Sequence, residues 1–236
     1  MYPMPEGSQR IRKTAYIAVP LLLALNVFIY IALLAPPRLT VTILPLGSAA
    51  AFLVAAPEGT PVLVGAGPDA SVLRALGETL APWQRSLSAL VLTSISGADA
   101  GGAPEMLARY RVAEIVRPEA KGTASREAAL AEASAASGTH LTLAHRGDRF
   151  ALGGGAYLDV LWPPETATLL RASDGPLVLR LSYGRTAIDI APDSLPASDA
   201  AWLAALDAGL PAAALTLSSS TPAGTYVSDG IHLYKE

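Results

Sequence analysis

The stretch Leu90-Val-Leu-Thr-Ser-Ile-Ser-Gly-Ala-Asp-Ala-Gly-Gly-Ala-Pro-Glu-Met-Leu107 decides how the chain is read. It begins inside a short apolar run, residues 88–93, of the kind that forms a buried parallel-type strand. A loop of small and polar residues follows, carrying Ser94, Ser96, Ala98 and Asp99, and Gly101-Gly102 closes it. A short helix is expected over residues 104–110. A buried strand that delivers its end into a loop and then a helix is the repeating unit of an α/β fold.

Outward from this stretch the pattern continues. On the N-terminal side, residues 39–44 and 50–55 read as strands around Gly47-Ser48, and residues 61–64 as a third strand after the turn Pro57-Glu58-Gly59-Thr60. Asp69 or Ser71 can cap a helix running to about Leu80, with Val72, Leu73, Leu76 and Leu80 on one side. On the C-terminal side come a strand at 112–116 and an Ala-rich helix at 125–136. The capping box of that helix is incomplete, because Ala128 stands where Glu or Gln would bond back to Ser125. Strands follow at 141–144, 149–152 and 157–162, with Gly153-Gly154-Gly155 as a hairpin turn. Residues 177–182 and 186–190 read as a hairpin around Tyr183-Gly184-Arg185. A helix is expected at 199–208 and final strands at 213–217, 225–227 and 232–234, with Asp229-Gly230 as a two-residue turn. The sum is an α/β chain with mixed sheets and helices outside.

The 236 residues fit one medium domain plus an appendage. The absence of cysteine excludes disulfides and cysteine-based zinc sites. Residues 14–35 carry no Asp, Glu, Lys or Arg. Twenty-two residues at ~1.5 Å rise make a helix about 33 Å long, enough for a hydrocarbon core of ~30 Å. Pro20 and Asn26 are tolerable within such a span, and Tyr16 and Tyr30 lie toward its ends, where aromatic rings favour the interface.

Arg10, Arg12 and Lys13 precede the run and only Arg38 closely follows it. The expected arrangement is therefore a cytoplasmic tail at 1–13, a single transmembrane helix at 14–35 ended by Pro36-Pro37, and an extracytoplasmic domain at 38–236 in a cell membrane. A cleaved signal peptide is the competing reading. It fits less well, because the run exceeds the usual apolar core of a signal and Leu33-Leu34-Ala35 is a poor small-x-small cleavage site. Setting aside Arg10, Arg12, Lys13, Arg38 and Glu6 leaves 13 basic and 19 acidic residues, a net charge of −6 for residues 39–236. With no basic run, direct binding of nucleic acid is not expected.

Taken in order, these segments resemble the C-terminal metallo-β-lactamase-like domain of ComEC-type competence proteins, which take DNA across the membrane. The resemblance covers residues 38–236 and the preceding membrane helix. It is carried by Arg38-Leu-Thr-Val-Thr-Ile-Leu-Pro-Leu-Gly47, Val62-Leu-Val-Gly-Ala-Gly-Pro-Asp69, Leu92-Thr93 with Gly101-Gly102, Leu161-Trp-Pro-Pro164, Leu177-Val-Leu-Arg-Leu-Ser-Tyr-Gly-Arg185, and Gly224-Thr-Tyr-Val-Ser-Asp-Gly-Ile-His-Leu-Tyr234. It implies an αββα sandwich with a dinuclear metal site between the sheet edges.

The same resemblance implies that the site's chemistry is gone. The family's His-x-His-x-Asp-His positions are Ser94, Ser96, Ala98 and Asp99, and the Asp of its Asp-Gly-Gly strand end is Gly65. The Pro-His-His-Gly-Ser segment is Ser218-Ser219-Ser220-Thr221-Pro222, so Ser219 and Ser220 stand in the histidine positions. Only the later carboxylate remains, as Asp193. Two divalent ions need several His or carboxylate ligands converging at ~2.0–2.2 Å, and serine hydroxyls do not replace them. No cofactor is expected.

The expected function is a noncatalytic, membrane-anchored module, a pseudoenzyme linked to DNA uptake. Its partners would be the bilayer, through residues 14–35, and a separate membrane channel protein. Two alternative functions stand beside it. One is a residual metal-dependent phosphodiester hydrolase at Asp99 and Asp193. The other is a single-stranded-DNA-binding accessory.

Other features take ordinary readings. His140, His145 and His232 are expected at the surface or at strand edges, and no Gly-x-Ser-x-Gly elbow supports a serine hydrolase. Trp83, Trp162 and Trp202 are assigned to packing, and Arg180 and Arg185 to solvated strand ends beside the Tyr183 turn.

Overall fold

The computed structural model describes residues 19–27, 37–162, 176–191 and 213–236. Its two units are residues 1–36 and residues 37–236. In the first, residues 19–27 form a helix, α1, whose apolar side chains, Leu21 and Leu23 among them, are exposed. Among the described residues no helix is long and apolar enough to cross a membrane. The rest of the expected span, 14–18 and 28–35, lies outside them.

The second unit is built on two sheets. An eight-stranded sheet runs in the order β13-β12-β1-β2-β3-β4-β5-β6. Its strands are β1 (Leu39–Leu46), β2 (Ala49–Ala55), β3 (Val62–Val64), β4 (Ser86–Val91), β5 (Arg111–Pro118), β6 (His140–Ala144), β12 (Gly224–Ser228) and β13 (Leu233–Lys235). A five-stranded sheet, β11-β10-β9-β8-β7, comprises β7 (Arg149–Gly153), β8 (Ala156–Trp162), β9 (Val178–Tyr183), β10 (Thr186–Ile190) and β11 (Leu215–Leu217).

Strand periodicity sorts the core into two layers. In β1, Leu39, Val41 and Ile43 face the second sheet, where they join Phe52, Val54, Leu158, Val160, Leu179, Leu181 and Ile188. Leu44 and Leu46 point to the other face, against the helices α2 (Ser71–Thr79), α4 (Ala103–Leu107) and α5 (Ala124–Ser137). The helices supply Val72, Leu76, Met106 and Leu130 to that layer. β3, β4, β5 and β6 run parallel, as buried apolar strands joined by helices do. The described residues thus form helix, sheet and sheet. The helix expected at 199–208 lies outside them.

Several boundaries differ from the sequence reading. The N-cap of α5 is Thr123, two residues before the expected Ser125. The reason is Glu127, whose carboxylate turns back to Arg117 and to the Gly122 N–H and fixes the chain just before the helix. The β12–β13 connection is the four residues 229–232 rather than a two-residue turn. Asp229 Oδ1 accepts from the Ile231 and His232 N–H groups at 2.8 and 2.7 Å, and this Asx geometry widens the loop.

The expectation of a solvated Arg180 is overturned. Arg180 is 4% exposed and donates from Nε and Nη2 to the two Asp189 oxygens, each at 2.7 Å. The β9–β10 turn has two residues, so Tyr183 pairs with Thr186 and Arg180 with Asp189. Arg185, in the turn, is exposed as expected.

Candidate functional site

Parallel strands end together, and the C-terminal ends of β3, β4 and β5 bring three loops to one rim. The loop after β3 begins at Gly65, whose N–H donates to Val91 O at 2.8 Å. Gly65 and Gly67 have φ of +79° and +69°, a region that favours glycine. The loop after β4 runs through Ser94 and Ser96 into the single turn α3 (Gly97–Ala100). Two backbone bonds clamp these loops together, Ala66 N–H to Asp99 O at 2.7 Å and Gly102 N–H to Gly67 O at 3.0 Å.

Asp99 is the centre of this arrangement. Its Oδ2 accepts from the Ser94 N–H at 2.7 Å. Its Oδ1 lies 2.9 Å from where a side chain on Gly65 would begin, so a residue with a Cβ would collide with the carboxylate there. Asp99 as a whole is only half-buried, but its carboxyl is enclosed. Burial pushes that carboxyl up to about 6, against the lowering effect of the hydrogen bonds from Ser94 and Thr93. Ser94 Oγ donates to Ser96 Oγ at 2.9 Å, and Ala98 and Ser96 are exposed.

The loop after β5 is fixed by a buried arginine. Arg117 donates to Pro118 O at 3.1 Å, Ala120 O at 3.0 Å, and both Glu127 oxygens at 2.6 and 3.0 Å. The Arg117 guanidinium holds Glu127 below the usual carboxylate range. Arg126 reaches across to Ile95 O at 3.5 Å.

The fold therefore brings together Gly65, Ser94, Ser96, Ala98 and Asp99. Asp193 lies outside the described residues. Ser219 and Ser220 are exposed in a turn after β11 that is bonded within itself, Ser218 Oγ to Ser220 Oγ at 2.7 Å and Ser218 N–H to Thr221 Oγ1 at 2.9 Å. His140, His145 and His232 are exposed, and the latter two lie 3.7 Å from Asp148 and Asp229. Trp162 is buried, whereas Trp83 is 83% exposed.

No family model matches the sequence, and no curated protein matches it. Solved structures do match. A HARLDQ-motif mutant of a metallo-β-lactamase from Cronobacter sakazakii is similar with a TM-score of 0.51 at 17% identity, over 76% of this chain and 76% of that one. MEM-A1, a subclass B3 metallo-β-lactamase from a soil metagenome library, gives 0.51 at 12% identity over 76% of each. The chain has the metallo-β-lactamase fold. Zn(2+)-bound PqqB from Methylobacterium extorquens agrees, with a TM-score of 0.50 at 12% identity over 76% of this chain and 70% of that one. At such identities the likeness carries the fold and nothing finer.

A metal pair of the kind this fold implies does not fit the described residues. Among them no three His, Cys, Asp or Glu side chains stand close enough to hold an ion. The Asp99 carboxylate is already committed to a backbone N–H and to the space over Gly65. Hydroxyls at Ser94 and Ser96 are weak ligands that bond each other.

A raised carboxyl pKa makes a definite pH signature. The folded state keeps its proton to about pH 6, while the unfolded chain releases it near 4. The contribution of Asp99 to stability is therefore greatest below pH ~4, falls as pH rises to ~6, and is flat above. Asp99→Asn keeps an acceptor for the Ser94 N–H and removes the enclosed charge. At pH 7 it is expected to stabilise the domain by about 1–2 kcal/mol. Denaturant midpoints from pH 4 to 7 check this, because the difference between the two proteins should grow with pH across the window. A difference that stays constant across it would show that the carboxyl is not enclosed.

Proposed function

We propose that this chain is a noncatalytic module with the metallo-β-lactamase fold, spanning residues 38–236 and tethered to a cell membrane through residues 14–35. The tail at 1–13 is cytoplasmic and the domain lies on the opposite side. Its relationship is to the C-terminal domain of ComEC-type proteins, and its role is that of a partner-binding accessory in DNA uptake, beside a separate membrane channel protein. The anchor reading rests on the uncharged run at 14–35 and the basic residues before it. The competence reading rests on the ordered motifs from Arg38 to Tyr234.

One observation carries the noncatalytic reading. Where a metallohydrolase of this fold would aim ligands outward into a groove, Asp99 turns its carboxylate inward and ties the Ser94 N–H over Gly65. A carboxylate used to brace the loop supplies neither an open coordination position nor a general base at the rim.

The test is phosphodiester hydrolysis by the purified full chain supplied with zinc or manganese. No turnover above that of the heat-denatured protein is expected. Hydrolysis that disappears on Asp193→Ala would replace this reading with a residual hydrolase.

A further inference from the structure

Strand directions place a second set of loops at the end of the sandwich opposite Asp99. Leu39 pairs with Ser228, Thr40 with Ala55, Val54 with Val62, Val62 with Ala89, and Ser86 with Arg111. The residues leading into β1, β4 and β5 therefore share one end. The β9–β10 turn joins them, since the Tyr183 hydroxyl donates to Pro37 O at 3.0 Å and the Arg185 N–H to Gly230 O at 2.6 Å.

This end carries Arg38, Arg85, Arg109, Arg111 and Arg185, all exposed, and beside them Trp83. Among the described residues none of the five arginines is in an ion pair; Arg85 lies over the Tyr110 ring at 5.5 Å. The acids nearby are few. Glu58 and Asp229 are exposed, with Asp229 capping its own loop, Glu78 is engaged by Arg74 at 3.5 Å, and Glu105 is exposed one helical turn before Arg109. Ile231 is a second exposed apolar side chain, at 59%.

A domain that totals −6 over residues 39–236 thus gathers at one end an indole and guanidinium groups without carboxylate partners among the described residues, Arg85 also donating to the Tyr110 hydroxyl at 3.3 Å. We propose that this end rests on an anionic lipid surface, with Trp83 in the headgroup layer and the arginines on lipid phosphates. Tryptophan belongs at that depth because its ring is apolar while its N–H stays hydrated, and arginine pairs with phosphate through a fixed fork of donors. The place where the chain arrives points the same way. Pro37 and Arg38 lead into β1 at this end, and in sequence they follow closely on the expected span at 14–35. A single-stranded nucleic acid would instead call for a run of stacking aromatics along a basic groove, whereas the exposed Trp83, before β4, and the exposed Tyr234, on β13, are separated by the four strands between β13 and β4 and form no such run.

This inference rests on the membrane-anchor reading, and one experiment separates the two. The full chain is mixed with brominated phosphatidylcholine vesicles, with and without phosphatidylglycerol, floated through a carbonate-washed gradient, and read by tryptophan fluorescence. Trp83→Phe identifies the Trp83 contribution. The expected result is flotation with both lipids, and strong quenching of Trp83 only where phosphatidylglycerol is present. Each arginine contributes roughly a fivefold bias toward an anionic surface. Arg109→Gln/Arg111→Gln, at exposed positions that leave the Arg85–Tyr110 contact in place, should therefore reduce quenching severalfold, while an unchanged near-ultraviolet spectrum confirms the fold. Flotation without Trp83 quenching overturns the lipid-facing end and leaves the anchor standing. Failure to float overturns the anchor, and Trp83 quenching by added phosphatidylglycerol vesicles then still decides the surface. A Trp83 response to an oligonucleotide and not to lipid overturns the proposal in favour of nucleic acid.

Discussion

Gly102→Ala should lower the unfolding free energy by about 3 kcal/mol, at the upper end of the cost of overpacking. Gly102 is buried, and a methyl group there would stand 2.3 Å from Asp69 O, 2.4 Å from Ala66 O and 3.0 Å from a Val72 methyl. Two of these three neighbours are backbone oxygens, which cannot rotate away, so the loops after β3 and β4 would have to part. Gly101 is no freer, with Pro68 O 2.1 Å from its ideal Cβ. The control is Gly77→Ala, inside α2, where nothing lies within 4 Å. That change should stabilise the domain by about 0.5–1 kcal/mol, the ordinary helix preference for alanine. Urea unfolding of the three proteins provides the comparison. A neutral Gly102→Ala would mean that the two loops are not in backbone contact. The glycines serve the packing of one loop on another, which the fold needs with or without ions.

Asp189→Ala is the second large effect, expected at about 3–5 kcal/mol, the range for breaking a buried ion pair by removing one partner. The change withdraws both 2.7 Å hydrogen bonds that Asp189 receives from Arg180, in a pair whose side chains are 10% and 5% exposed. Arg149→Ala makes the comparison, because it breaks a pair with Asp159 in which the arginine side chain is 62% exposed. Exposed pairs contribute less than about 1 kcal/mol, so Arg149→Ala should shift the unfolding midpoint little. Equal losses from the two variants would show that Arg180 and Asp189 are solvated after all.

The same pair shows where the sequence was legible and where it was not. Both strands of the β9–β10 hairpin are evident in Leu177-Val-Leu-Arg-Leu-Ser and Thr186-Ala-Ile-Asp-Ile. A three-residue turn at 183–185, however, sets Ser182 against Thr186 and Arg180 against Ile188. The actual turn is Gly184-Arg185, with Gly184 at a φ of +57°, and this one-residue change of register brings Arg180 opposite Asp189. Alternation in Leu179, Arg180 and Leu181 already marked Arg180 as facing away from the inter-sheet core. The register was the missing step.

At the rim, the apolar run, the Ser94–Asp99 loop and the glycine pair were all readable, because short parallel strands and glycine turns leave local marks. The inward turn of Asp99 was not readable. It depends on Gly65 leaving room, and Gly65 is 34 residues away in sequence. The Arg117–Glu127 pair was missed for a similar reason. Its partners sit on a strand and a helix ten residues apart, and only the path of residues 118–123 brings them together.

Metal content tests the central claim most directly. The full chain, dialysed against zinc and separately against manganese and then passed through a desalting column, is analysed for bound metal by elemental mass spectrometry. Well under one ion per chain is the expected result for both metals, in the wild-type protein and in Asp99→Asn alike. Two ions per chain, with retention reduced by Asp99→Asn, would contradict the account and restore a metallohydrolase centre to this rim.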